Sequence, residues 1–263
     1  MPVQPVNLRR RCAASFAEVI PRRISGTCLC ILTLLAGPFA TAQANQDDAR
    51  LNPQALTASN SATVSVRELA VPRAAKQAVD AATDAWQKQQ WKKARAQATR
   101  ALALYPGYGA ALALLGYLDL QDGALEQACA NLRRAIAADP DLPLAYVALG
   151  SAYNSMQRYE AALEALSVFP SVSADTWQVH YEQARAFIGL RKYELGLQEI
   201  NSSQRLAQQD PAVLRLGKAH ALLGLHRNAE AAAELETIVR KQPNGPYASD
   251  AQSLLAILRS QKQ

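Results

Sequence analysis

Residues 149–163 read LGSAYNSMQRYEAAL, and this stretch decides the fold because its small and bulky residues recur along the chain at a nearly constant spacing. One column of small residues repeats at intervals of 34, 34, 34 and 35 residues. A second column lies three residues earlier and is bulky in four of its five places, and a third column is again small. A fixed period of this length is typical of repeat architectures. The columns are Ala94, Ala128, Ala162, Gly196 and Ala231; Trp91, Leu125, Tyr159, Tyr193 and Asn228; and Ala82, Gly116, Gly150, Ala184 and Ala219.

Prolines and composition indicate that each repeat is helical. Pro106, Pro140 and Pro243 each follow a member of the first column by twelve residues, and proline is not tolerated inside a helix. Apolar residues make up 49% of the chain and aromatic residues only 6%, which favours helices over a β-sandwich. Small residues let two antiparallel helices approach closely, while bulky neighbours fill the space beside the contact. The pattern therefore predicts an all-α protein made of stacked helical hairpins.

This pattern resembles the tetratricopeptide repeat, most clearly in Leu149-Gly150 to Tyr153 and in Tyr159 to Leu163. The resemblance implies a right-handed superhelical solenoid of about five hairpins at about 75–108, 109–142, 143–176, 177–211 and 212–245. A C-terminal capping helix is expected within residues 246–263. Pro170 interrupts the third copy and Asn228 replaces a bulky residue in the fifth. The residues interpreted as structural, packing the repeats together, are Ala94, Gly116, Ala128, Gly150, Tyr153, Tyr159, Ala162, Tyr193, Gly196 and Ala231.

The resemblance also implies a partner-binding groove lined by the first helices of successive hairpins. Projection onto a helix of 3.6 residues per turn places nine residues on the inward side: Tyr117, Leu120, Leu144, Val147, Ser151, Asn154, Tyr181, Arg185 and His220. Some family members grip a C-terminal carboxylate through Lys and Asn on these helices. The corresponding positions here are Val79, Thr83, Ala113, Tyr117 and Ala148, so that clamp is not reproduced. We expect the groove to accept an apolar or tyrosine-containing protein segment.

Residues 1–44 are predicted to be a signal peptide. A basic region precedes an apolar run from Cys28 to Ala36, and Ala42-Gln43-Ala44 predicts cleavage before Asn45. A second possible cleavage site follows Ala40-Thr41-Ala42. We therefore expect a periplasmic or secreted protein exported by the general route. The alternative is an uncleaved anchor, since residues 24–44 are about long enough to cross a bilayer. Residues 45–73 are predicted to be a flexible linker, with a possible short extended segment from Val64 to Val71.

The basic character of the chain belongs mainly to this leader. The formal charge is +6, but five Arg and one acidic residue precede Asn45, which leaves only +2 on the remainder. That balance does not indicate a nucleic-acid partner. We interpret Lys92-Lys93-Arg95 and Arg191-Lys192, which lie near turns within hairpins, as solvated surface.

No motif indicates an enzyme, a cofactor, a metal or a small-molecule substrate. The chain has no Gly-rich phosphate loop, no G-x-S-x-G and no H-E-x-x-H. His180, His220 and His226 are dispersed, and Cys129 is interpreted as a packing residue beside Ala128. We therefore expect an exported scaffold that binds a protein or peptide and takes part in envelope assembly or organisation. The alternative is a membrane-anchored structural protein, which would contact a membrane through a retained leader.

Overall fold

The computed structural model describes residues 69–168 and 176–260, and eleven helices account for most of them. Within these two ranges there is no strand, and the prediction of an all-α array of about five hairpins plus a cap is confirmed. The predicted signal peptide, the linker up to residue 68 and Pro170 lie outside the described residues. The helices are α1 (Arg73–Gln87), α2 (Trp91–Leu104), α3 (Gly109–Gln121), α4 (Leu125–Ala138), α5 (Pro143–Ser155), α6 (Tyr159–Ser167), α7 (Trp177–Gly189), α8 (Tyr193–Leu206), α9 (Ala212–Gly224), α10 (Asn228–Lys241) and α11 (Ala248–Ser260).

The same tight turn joins the two helices of every hairpin. Its middle residue has a positive φ, at Gln89, Gly123, Gln157, Arg191 and His226. The following amide donates back over five residues, as from Gln90 N to Ala85 O at 2.8 Å and from Ala124 N to Asp119 O at 2.8 Å. This is the Schellman arrangement, in which a left-handed residue ends a helix. Glycine occupies that position in only one of the five turns, so in the other four a residue with a side chain adopts the strained backbone conformation.

Small residues set the distance between the helices of a hairpin. A Cβ atom on Gly116 would lie 2.6 Å from Leu132 Cγ, and one on Gly150 would lie 2.8 Å from Leu166 Cγ. The small first-column residues Ala94, Ala128, Ala162 and Ala231 are fully buried. These close approaches let α3 and α5 pack directly on their second helices, α4 and α6.

A second close contact joins one hairpin to the next. The Tyr159 ring, at the start of α6, packs directly on Gly189. A Cβ atom added to this glycine would lie only 2.3 Å from Tyr159 Cε1. The Tyr193 ring, at the start of α8, packs on Gly224 in the same way. A Cβ atom added to Gly224 would lie 2.3 Å from Tyr193 Cδ1. Each glycine is the last residue of the first helix in the following hairpin. The third, fourth and fifth hairpins are therefore joined by two equivalent tyrosine–glycine contacts.

The array departs from strict repetition at its third hairpin. Helix α6 has nine residues, whereas α2, α4, α8 and α10 each have fourteen. Of the possible extended segment, only residues 69–71 are described, and they form no strand. Among the described residues, no helix is both long and apolar enough to cross a membrane.

Candidate functional site

The first helices of the hairpins form one layer of the array. Helices α1, α3, α5, α7 and α9 contact one another in succession, while α2, α4, α6, α8 and α10 form the other layer. All nine predicted groove residues lie on α3, α5, α7 or α9. Neighbouring first helices thus bring these residues onto adjacent helices, and the burial of each residue decides whether it can meet a partner.

The apolar groove residues are core residues, which corrects the assumption that they line an open surface. Tyr117, Leu120, Leu144 and Val147 are each 9% exposed or less and belong to one hydrophobic cluster. The Tyr117 ring centroid lies 4.4 Å from that of Trp86, and burial raises the pKa of Tyr117 to about 12 although a hydrogen bond with Gln121 opposes the shift. Helical projection gives the direction of a side chain but cannot show what covers it.

Three of the predicted polar residues do meet, in a buried cluster. Arg185 Nη1 donates to Glu182 Oε2 at 2.8 Å, to Glu182 Oε1 at 3.1 Å and to Ser151 Oγ at 3.3 Å. Asn154 Nδ2 donates to the Glu182 carboxylate at 2.9 Å and to the Glu182 carbonyl at 2.8 Å. These hydrogen bonds join α5 to α7 across the boundary between the third and fourth hairpins. We call Ser151, Asn154, Glu182 and Arg185 the polar cluster.

The polar cluster keeps a charge pair inside the protein. Arg185 and Glu182 are 6% and 4% exposed. Burial alone lowers the pKa of Arg185, but the Glu182 carboxylate, together with Tyr181 and Tyr247, more than offsets this and the pKa is raised. Asn154 Oδ1 is buried and accepts no hydrogen bond from the described residues. Sequence reasoning missed Glu182, for which the only signal was its position three residues before Arg185 on one helix.

The two remaining groove residues, Tyr181 and His220, are partly open to solvent. The Tyr181 ring centroid lies 5.9 Å from Arg185 Cζ, within the range of a cation–π contact. Burial lowers the pKa of His220 to about 4, although a hydrogen bond to the backbone of Leu216 opposes the shift. His220 is therefore neutral at pH 7, and the accessible part of the predicted groove is uncharged.

The charged turns are not equivalent. Arg95 forms ion pairs with Asp119 and Asp122 and so joins the first hairpin to the second. Its pKa is lowered by burial but raised overall by these two carboxylates. Lys92 and Lys93 are exposed and form no ion pair with any described residue. The three cations that we grouped in the sequence thus divide into one structural residue and two surface residues.

The described residues contain no group of three His, Cys, Asp or Glu side chains that could hold a metal. His180 Nδ1 lies 2.6 Å from Glu199 Oε2, which links α7 to α8. Cys129 is buried with its Sγ 3.9 Å from Met156 Sδ, and burial raises the pKa of its thiol. A raised thiol pKa lowers the thiolate fraction, so this cysteine is poorly suited to be a nucleophile.

Comparison with known proteins agrees with this architecture. Residues 116–157 match the family model described as the TPR repeat. No curated protein matches the sequence. The match and the helical array together support the resemblance to the tetratricopeptide repeat.

Solved structures of the same fold share little sequence with this chain. A thermophilic TPR protein of Thermus thermophilus is 19% identical with a TM-score of 0.57, covering 70% of this chain and 98% of its own. PilF of Pseudomonas aeruginosa is 17% identical with a TM-score of 0.55, covering 72% and 90%. A tetratricopeptide repeat protein of Parabacteroides merdae is 16% identical with a TM-score of 0.56, covering 73% and 87%. At these identities the likeness concerns the fold alone.

Proposed function

We propose that this chain is an exported scaffold that binds a segment of another protein on its first-helix layer and has no catalytic role. The observation that carries the proposal is the continuous layer formed by α1, α3, α5, α7 and α9. Successive hairpins offer a long surface to an extended partner, a use to which stacked repeats are suited. Partner contact should concentrate at the C-terminal half of this layer, because Tyr181 and His220 keep solvent access there.

The sequence supports a place in the cell envelope. Residues 1–44 have the order of a secretory signal: basic residues, an apolar run and an A-x-A site before Asn45. In the envelope, the scaffold would help to assemble or organise other exported proteins. The alternative, an anchored structural protein, requires that the leader is retained. N-terminal sequencing of the purified protein separates the two, since a start at Asn45 removes the anchor and a start at Met1 keeps it.

Site-specific photo-crosslinking in living cells tests the binding surface. A photoreactive phenylalanine replaces Tyr181 in one variant and His220 in another, and Gln198, which is exposed on α8 in the other layer, provides the matched control. We expect both groove variants to capture the same exported protein and the Gln198 variant not to capture it. Equal capture from all three positions would contradict the choice of surface. Recovery of the uncleaved chain from the cytoplasm would contradict export.

A further inference from the structure

The turn between α1 and α2 carries an unusual concentration of exposed cationic and aromatic side chains. All six residues from Lys88 to Lys93 are exposed, and they include Lys88, Lys92, Lys93 and Trp91. The Trp91 side chain is 38% exposed, whereas the other described tryptophans are covered more fully. We call residues 88–93 the lysine turn.

The exposed Trp91 differs from the residues at the equivalent place in the third and fourth hairpins. The equivalent aromatic residues Tyr159 and Tyr193 pack on Gly189 and Gly224, the last residues of α7 and α9. Helix α3 ends instead at Gln121, so the equivalent place on the second hairpin carries a side chain and not a glycine. Trp91 therefore stands in the bulky column of the repeat, next to three lysines, with 38% of its surface exposed.

The net positive charge of the array is concentrated in the first hairpin. Residues 73–104 carry seven basic and two acidic side chains, a balance of +5, while residues 105–263 carry a balance of −2. In the fifth hairpin most of the cations are paired, as in Lys218 with Glu234 at 2.8 Å and Lys241 with Asp210 at 2.9 Å. Within the described part of the chain, Lys88, Lys92 and Lys93 have no carboxylate partner. Their charge is available to an external anion.

We propose that the lysine turn docks the array onto an anionic membrane surface. Each lysine near such a surface contributes about a fivefold gain in partition, and an exposed tryptophan prefers the depth of the lipid headgroups. All six residues of the lysine turn are exposed, and the flexible ammonium groups of lysine suit an array of phosphates better than one fixed carboxylate. The contact is peripheral and independent of the partner that the first-helix layer binds.

Sedimentation with phosphatidylcholine vesicles, with and without phosphatidylglycerol, tests the proposal on the exported protein purified without detergent. We expect binding only to the phosphatidylglycerol vesicles, and release in about 0.5 M NaCl, where the Debye length is near 4 Å. Lys88→Glu/Lys92→Glu/Lys93→Glu should lower the partition coefficient by at least about 100-fold. The matched control, Arg158→Glu/Arg191→Glu/Lys192→Glu, makes the same charge change at exposed turn positions of the third and fourth hairpins and should keep most of the binding.

Tryptophan fluorescence with brominated lipids tests the depth of insertion. We expect quenching in the wild type and its loss in Trp91→Phe, since Trp86 is buried and the partly exposed Trp177 lies in the fourth hairpin, away from the lysine turn. Equal loss of binding in both charge variants would show that binding depends on the net charge of the protein and not on the lysine turn, and would overturn the proposal. Binding that resists salt in every variant would assign membrane contact to another segment. Failure to bind vesicles, with binding to a polyglutamate peptide instead, would assign the turn to an acidic protein partner and overturn the membrane proposal.

Discussion

Replacing Gly189 by alanine should loosen the contact between the third and fourth hairpins. The new Cβ would lie 2.3 Å from Cε1, 2.4 Å from Cζ and 2.6 Å from Cδ1 of Tyr159. Carbon atoms in ordinary contact stand about 3.5–4.0 Å apart. The tyrosine ring must therefore move by more than about 1 Å, or α7 must shift away from α6.

The expected loss of stability follows from two opposing effects. Overpacking of this kind costs about 1–3 kcal/mol. Alanine recovers up to about 1 kcal/mol over glycine in a helix, and less at a terminal residue such as Gly189. We expect a net loss of about 1–2 kcal/mol, which corresponds to a Tm lower by about 2–8 °C in a chain of this size.

Thermal unfolding followed by circular dichroism measures the effect, with a double-mutant cycle to locate its cause. Gly107→Ala is the control, because no atom lies within 4 Å of the added Cβ there. In the background of Tyr159→Ala, the Gly189→Ala substitution should lower the free energy of unfolding only slightly. The coupling energy between the two positions should then be at least about 1 kcal/mol. An unchanged Tm in Gly189→Ala, or an equal loss in both backgrounds, would refute the packing argument.

Three further predictions concern the turns, the polar cluster and the partly exposed His220. Gly123→Ala should destabilise by about 1 kcal/mol, because φ is 75° there, while Gln157→Gly, at φ 59°, should shift the urea midpoint upward. Arg185→Met should cost about 3–5 kcal/mol by leaving Glu182 buried without its cation, and adding Glu182→Leu should restore most of the loss. Because folding depresses the pKa of His220, stability should fall as pH drops from about 6.5 toward 4, by at most about 3 kcal/mol, and much less in His220→Gln.

The period of the array could be read from the sequence because the contacts that define a hairpin are local and repeat. Gly150 and Ala162 stand twelve residues apart, and each hairpin closes over a three-residue turn. The direction of each side chain also follows from helical geometry. What covers a side chain does not, since burial depends on elements distant in sequence. That is why Leu144 and Val147 were predicted to line a groove and belong to the core instead.

The polar cluster was only partly predictable for a similar reason. Ser151, Asn154 and Arg185 were placed on one surface, which brings them near one another in the array. Glu182 was missed because acid–base pairs three residues apart on a helix usually lie on the surface. Only the structure shows that this pair is covered and that Asn154 ties it to the preceding hairpin.

Equal positions in a repeat do not have equal roles, and the difference lies in the residue that each one meets. Trp91, Tyr159 and Tyr193 share a column, yet the two tyrosines pack on glycines, whereas Trp91 is 38% exposed and the helix of the next hairpin ends at Gln121. At the boundary between the first and second hairpins, Arg95 with its two aspartates makes a polar link. In a linear array, stability is a sum of hairpins and their boundaries. Because Arg95 and its two aspartates link the first two hairpins, the exposed Trp91 can make another contact. We propose that this contact is with the membrane surface, next to the lysines of the lysine turn.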